Sequence, residues 1–156
     1  MALALVLVLT PIQAAAEELL DRGLLMQGVY RLVPRPWVAV AVSSLLFWAV
    51  HLPNPEDSGT PGWSAAYYRT VGILLAGVTL RTGRLEAAMG LHPGMNLCAF
   101  LVTAPATVMF RPASLFIDVQ PNSLRDVAFI ALLAVGTVLT LRRGDVRPFT
   151  ERVPAQ

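Results

Sequence analysis

Five long apolar runs divide the chain, and short polar stretches rich in arginine, proline and glycine separate them. Only 14% of the residues are charged, well below the quarter that is usual in soluble domains, and the mean hydropathy is +0.60. Most of the runs have close to the 17–25 residues that a helix needs to cross a bilayer. The sequence therefore predicts an all-α, polytopic transmembrane helix bundle of about five spans. The expected spans are Met1–Val33, Trp37–Leu52, Ser64–Leu80, Leu85–Phe110 and Val127–Leu141.

The 156 residues predict one transmembrane domain over residues 1–142, followed by a polar tail over residues 143–156. Arginines lie in the turns after the first and third runs and in the tail, which places these parts in the cytoplasm. The loop around Glu56 and Asp57 has no basic residue, so we expect it outside, together with the N-terminus. The protein is thus expected to be an integral, multi-pass protein of a bacterial plasma membrane with a cytoplasmic C-terminus.

The basic residues exclude one class of partner. All twelve are arginines, and they are scattered between the apolar runs rather than clustered in a stripe, so no nucleic-acid partner is expected. Cys98 is the single cysteine, and no cysteine-based metal pattern accompanies it. The expected partners are the lipid bilayer and a membrane protein or peptide substrate, while the sequence leaves the oligomeric state undetermined.

Charged residues interrupt the first apolar run at residues 17–22. An ionisable side chain among membrane-like surroundings costs at least a few kcal/mol, so it normally faces a bundle interior and has a function. Glu18 and Arg22 are four residues apart on a helix, share a face and are predicted to pair. Glu17 is turned about 100° away and is left without that arginine. The pattern indicates one supported carboxylate beside one available carboxylate.

The two histidines lie in, or at the end of, apolar runs. Asn96 follows His92 by one helical turn, and Pro93 between them is expected to loosen the helix and leave room for a substrate. A carboxylate beside a neutral imidazole can take a proton from water, and a second imidazole and an amide can donate hydrogen bonds to a developing oxyanion. Glu17, His51, His92 and Asn96 therefore predict a site for peptide hydrolysis.

Three motifs follow one another on these runs, Glu17-Glu18-x-x-x-Arg22, Phe47-x-x-x-His51 and His92-x-x-x-Asn96. In this order they resemble the signature motifs of the CPBP intramembrane proteases, which include the type II CAAX prenyl proteases and the bacteriocin-processing or immunity proteins of the Abi-like group. The resemblance extends from about Met1 to Leu101 and includes Gly83 before the third motif. Each motif alone is weak, but three in order on apolar helices make a specific pattern.

The resemblance implies an intramembrane endopeptidase in which Glu17 activates water together with His51, while His92 and Asn96 form the oxyanion hole. Its implied supporting residues are Glu18 and Arg22, which would hold the first helix in place. The substrate class it suggests is a CAAX-type protein, as one possibility among several. The alternative is a non-catalytic membrane immunity or scaffold protein that binds a peptide in the same cavity.

No cofactor is expected, although a divalent metal stays open. The family has been described as metalloproteases, and a set of Glu17, His51 and His92 could ligate zinc. The soluble zinc-protease pattern HExxH is absent from the sequence.

Two features of the sequence depart from the family pattern. Asp21 stands where an apolar or aromatic residue is common, four residues from Glu17, and no further membrane helices precede the first motif. The sequence therefore leaves three interpretations of the chain open: a minimal member of the family, a truncated gene product and an inactive remnant.

Overall fold

The computed structural model describes residues 2–53, 61–105, 116–118 and 124–140. Over these residues the chain is helical except for two strands of three residues each, so the all-α prediction is confirmed for nearly all of the described chain. The elements in chain order are α1 (Ala2–Glu18), a π-helical segment (Leu19–Leu25), α2 (Met26–Leu32), α3 (Pro36–His51), α4 (Pro61–Thr82), α5 (Leu85–Val102), β1 (Thr103–Pro105), β2 (Phe116–Asp118) and α6 (Leu124–Thr140).

The first helix is continuous from α1 through the π-helical segment into α2. Its 30 residues over Leu3–Leu32 are long and apolar enough to cross a membrane, and in the described part of the chain no other helix meets both conditions. The helix Pro36–His51 is apolar but shorter. A bundle of five spans is therefore not confirmed. Helix α4 has 22 residues, but its tyrosine, arginine and threonine side chains lower its hydropathy.

The predicted fourth run, Leu85–Phe110, is too long. Helix α5 ends at Val102, and the chain continues as β1, which pairs in parallel with β2. A proline at position 105 restricts the preceding residue to extended conformations, which opposes continuation of the helix. Residues 106–110, the loop with Glu56 and Asp57, and the tail over residues 143–156 lie outside the described residues.

Helix α4 lies at the centre of the bundle and packs against α3, α5 and α6. Its apolar side chains fill the larger core cluster together with Phe47 of α3, Ala88 of α5 and Ile130 of α6. Met26 and Tyr30 of α2 form a smaller cluster with residues of α3 and α4. The bundle is thus held by helix packing on one central element.

The connection from α4 to α5 determines where the third motif lies. Gly83 adopts a φ of 64° and its N–H donates to the Thr79 carbonyl over 2.9 Å, a left-handed cap that glycine makes without strain. Helix α5 then packs against α1, which brings His92 beside the first motif. Pro93 is buried, and helix α5 continues through it. The loosening that the sequence predicted at this proline therefore does not interrupt the helix.

Candidate active site

Glu18 and Arg22 form a fully buried ion pair. The Arg22 Nη1 donates to Glu18 Oε1 over 2.9 Å, and both side chains are 0% exposed. The predicted pairing across one helical turn is confirmed. Arg22 also donates from Nη2 to the Gly72 carbonyl over 3.3 Å, and its guanidinium lies 4.7 Å from the Phe47 ring centroid. One arginine therefore joins the first helix to α3 and α4.

Asp21 is a second carboxylate on the same arginine. Its Oδ2 accepts from Arg22 Nη1 over 3.2 Å, and its side chain is 13% exposed. The sequence places this residue four positions from Glu17, and in the structure it has a cationic partner. Its contact with Arg22 balances part of the negative charge that the first motif brings into the bundle.

Glu17 occupies a different face, as the helical spacing predicts. It makes no ion pair with Arg22 in the described structure, and its side chain is 27% exposed. Gln13, one helical turn earlier, donates from Nε2 to Glu17 Oε1 over 3.0 Å. One oxygen of Glu17 is thus anchored, while the other, Oε2, points toward α5.

His92 lies between the two glutamates and is 3% exposed. Its Nδ1 is 2.8 Å from Glu18 Oε1, and its Nε2 is 3.7 Å from Glu17 Oε2. The first distance is that of a hydrogen bond, whereas the second is too long for one. His92 is therefore fixed by Glu18 and faces Glu17 across a gap.

His51 belongs to the same cluster through aromatic contacts. Its Nδ1 donates to the Phe47 carbonyl over 2.6 Å, because a carbonyl oxygen can only accept. Its ring stacks on Tyr68 with a centroid distance of 4.2 Å. The Phe47 ring lies 4.6 Å from the His51 ring and 5.7 Å from the His92 ring, so both imidazoles flank one phenylalanine. No hydrogen bond joins His51 to Glu17 in the described part of the chain.

Asn96 is half-buried and follows His92 by one turn of α5. Its side-chain amide has no hydrogen-bond partner among the described residues. An amide group that is half-buried and unpaired is available for a ligand, and the spacing of one turn places it on the His92 face of the helix. Of the six predicted residues, Glu18, Arg22 and His92 are joined by hydrogen bonds, and Glu17 faces His92 across 3.7 Å. His51 reaches this group through the Phe47 ring, while Asn96 is related to it only by its spacing from His92 on α5.

The π-helical segment immediately follows Glu18. The Met26 N–H donates to the Asp21 carbonyl, five residues earlier, which is the bonding pattern of a π-helix. This widening of the helix lies at the first motif, and such π-turns are frequent at functional sites. Sequence reasoning placed an ordinary α-helix here.

Gln13 and Gly72 contribute to the site but were missed by the sequence reasoning. Gln13 had a detectable signal, because it is four residues before Glu17 in an otherwise apolar run. Gly72 had none, because its contribution is a backbone carbonyl and the absence of a side chain. A Cβ at position 72 would lie 2.9 Å from the Ser44 Cα, so only glycine fits this approach of α3 to α4.

The sequence leaves a divalent metal ion open, with Glu17, His51 and His92 as its ligands. Among the described residues, no group of three or more His, Cys, Asp or Glu side chains is placed to hold one. Glu17 and His92 lie 3.7 Å apart, but among the described residues His51 reaches this pair only through the Phe47 ring, so the three do not form such a group. Whether the reaction needs a cofactor stays a prediction.

The helical bundle and its cluster of glutamates and imidazoles define a class of helical protein with ionisable side chains buried between packed helices. Residues 1–98 match the profile of the type II CAAX prenyl endopeptidase Rce1-like family. The chain belongs to this family, whose members are membrane-associated proteases. This confirms the resemblance that the three motifs indicated.

One relative is the uncharacterized protein YyaK of Bacillus subtilis (strain 168), which is 35% identical over 129 residues. The alignment covers 81% of this chain and 43% of that protein. The chain thus spans less than half the length of that relative. No solved structure matches the chain.

Proposed function

We propose that this chain is an intramembrane endopeptidase that hydrolyses a peptide bond with Glu17 as the general base. The observation that carries the proposal is the gap of 3.7 Å between Glu17 Oε2 and His92 Nε2. Both side chains are held from behind, Glu17 by Gln13 and His92 by Glu18, and Glu17 is the more accessible of the two glutamates. An anchored base beside an anchored imidazole is the arrangement that water activation needs.

A separation of 3.7 Å is too long for a direct hydrogen bond but allows one water molecule to contact both atoms. In the proposed step, Glu17 Oε2 takes one proton from that water, and the hydroxide oxygen attacks the carbonyl carbon of the peptide bond. The proton on Glu17 then passes to the leaving amine as the C–N bond breaks. The Glu17 carboxylate is regenerated, and the two products are a carboxylic acid, which ionises in water, and an amine.

Two side chains on α5 are proposed to stabilise the oxyanion of this step. Asn96 donates from its amide, and His92 donates from Nε2 when that atom is protonated, since both lie on one face of the helix. His51 is proposed to assist Glu17. Because its Nδ1 donates to the Phe47 carbonyl, its Nε2 is left to accept a proton or a hydrogen bond.

The proposed setting is a multi-pass bundle in the membrane, with the C-terminal tail on the cytoplasmic side. Apolar side chains on the outer face of the first helix support contact with lipid, since Leu5, Val8 and Ile12 are each more than half exposed. Processing of a CAAX-type protein is the substrate class that the family suggests, and it remains a prediction for this chain.

The test is cleavage of a library of membrane peptides by the purified protein in detergent, with new termini identified by mass spectrometry. Parallel reactions contain a chelator or an added divalent metal, and the Glu17→Gln variant is the blank. We expect cleavage by the wild type and none by the variant. Absence of cleavage under every condition would contradict the proposal and favour a membrane protein that only binds a peptide.

A further inference from the structure

Glu18 contacts more than its arginine. Its Oε1 accepts from Arg22 Nη1 over 2.9 Å and also lies 2.8 Å from the Nδ1 of His92, which is 74 residues further along the chain. All three side chains are buried, with exposed fractions of 0%, 0% and 3%. The sequence predicted only that Glu18 supports the first helix. The contact between Glu18 and His92 therefore indicates a second role for this carboxylate.

The contact determines which nitrogen of His92 carries a proton. Because Oε1 already accepts from Arg22, it is a carboxylate acceptor in both contacts, and the group facing it must be a donor. The His92 Nδ1 therefore carries a hydrogen. In a neutral imidazole only one ring nitrogen does so, which leaves Nε2 with a lone pair.

We propose that Glu18 is a positioning residue that fixes His92 in its Nδ1–H form, so that Nε2 is the single atom at which His92 gains or loses a proton. This inference rests on the proposed function, in which Nε2 faces Glu17 across 3.7 Å. With a bare Nε2, His92 accepts a hydrogen bond from the water beside Glu17. With a protonated Nε2, the ring donates a charge-assisted hydrogen bond to the oxyanion.

His51 provides an internal control within the same chain. Its Nδ1 also donates, but to the Phe47 carbonyl over 2.6 Å and not to a carboxylate. Its tautomer is therefore set by a backbone group that no substitution at position 18 removes. The two histidines are the only ones in the sequence, so their ring nitrogens give a spectrum with two assignable sets of signals.

The experiment is nitrogen-15 NMR of the full chain in detergent micelles, with labelled histidine and with the His92→Asn variant used for assignment. The pH is raised until each ring has lost one proton. In the wild type we expect the proton to leave Nε2 and to stay on Nδ1 in both rings. In Glu18→Met, where Arg22 keeps Asp21 and the Gly72 carbonyl as partners, we expect His92 to lose this preference and His51 to keep it.

A neutral His92 with its proton on Nε2 in the wild type would overturn the proposal, and this result depends on no variant. An unchanged His92 tautomer in a folded Glu18→Met protein would overturn it as well. The tautomer is measured without substrate. An enzyme that cleaves no peptide but shows the expected spectra would therefore contradict the proposed function and leave the tautomer assignment standing.

Discussion

At the scale of single residues, Arg22 carries the largest share of the buried contacts around the site. Its guanidinium bonds to two carboxylates and one backbone carbonyl and lies on the Phe47 ring. One nitrogen of Arg22, Nε, and one oxygen of Glu18, Oε2, are buried without a hydrogen-bond partner in the described structure. The remaining contacts must offset these unpaired atoms.

The substitution Arg22→Ala is predicted to destabilise the protein strongly. Removing one partner of a buried ion pair leaves the other charge uncompensated, which typically costs about 3–5 kcal/mol. The measurement is the free energy of unfolding in detergent, with the exposed Arg84→Ala as a matched control that we expect to leave stability unchanged. Wild-type stability of Arg22→Ala would show that the guanidinium is not needed to hold Glu18.

Asn96→Ala is predicted to lower turnover and leave the fold intact. The amide makes no hydrogen bond to another described residue, so its loss removes no hydrogen bond among these residues. Loss of one oxyanion donor typically lowers kcat by ~10²–10³. Steady-state kinetics on a peptide identified as a substrate measures this, and Cys98→Ala on the exposed side of the same helix is the control. A kcat equal to that of the wild type would remove Asn96 from the proposed oxyanion hole.

At the scale of elements, the close approach of α3 and α4 positions the buried arginine. Ser44 of α3 is buried, and Gly72 of α4 approaches its backbone without a side chain. Small residues at such a crossing are typical of helix packing in membranes. The carbonyl of the same glycine accepts a hydrogen bond from Arg22. Gly72 therefore both allows the close packing of α3 and α4 and binds the buried arginine.

Gly72→Ala is therefore predicted to destabilise the bundle. The new Cβ would lie 2.9 Å from the Ser44 Cα and 3.0 Å from its Cβ, so the backbones of α3 and α4 would have to separate. Overpacking of this kind costs about 1–3 kcal/mol. Thermal unfolding in detergent is the measurement. Gly77→Ala in the same helix, where nothing lies within 4 Å, is the control and should be as stable as the wild type or more stable.

The helices themselves were largely predictable from the sequence. Apolar runs bounded by proline and glycine gave α3 within one residue at each end, and the spacing of Glu18 and Arg22 gave their pairing. The end of α5 at Val102 was not predictable from hydropathy, because residues 103–110 are as apolar as the helix before them.

The arrangement of the site was only partly predictable. Spacing along one helix shows which residues share a face, but the contact between Glu18 and His92 joins positions 74 residues apart. The π-helical segment was also hidden, because no residue type in Leu19–Leu25 distinguishes it from an α-helix. The sequence therefore predicted Glu18 and Arg22 as a pair, while the contacts between helices required the structure.

At the scale of the whole molecule, many large apolar side chains of the described helices are exposed. They include Leu20 and Leu24 on the first helix and Phe129 and Leu132 on α6, each more than 60% exposed. Exposed apolar side chains of this size are typical of surfaces that contact a membrane or another protein. The described helices show how the bundle packs, whereas the number of spans is a matter for topology measurements.

The predicted topology places residues 56 and 57 outside and residues 144–156 in the cytoplasm, both beyond the described residues. Cysteines introduced one at a time at positions 57, 84 and 147, in a Cys98→Ala background, would be tested with a membrane-impermeant maleimide on intact cells. We expect labelling at position 57 before lysis, and at positions 84 and 147 only after lysis, since arginine-rich segments stay in the cytoplasm. Protection of position 57 until lysis would contradict this orientation.

The central claim is that Glu17 acts as the base of a peptide hydrolysis, and the most direct test is the single-turnover cleavage rate of Glu17→Gln. The amide keeps the size and hydrogen bonding of the carboxylate but cannot take a proton, and loss of general-base catalysis lowers rates by roughly 10²–10⁴. The matched control is Glu86→Gln, an exposed glutamate on α5. We predict a folded Glu17→Gln protein with at least that loss and a Glu86→Gln protein with the wild-type rate. Cleavage by Glu17→Gln at the wild-type rate would contradict the account.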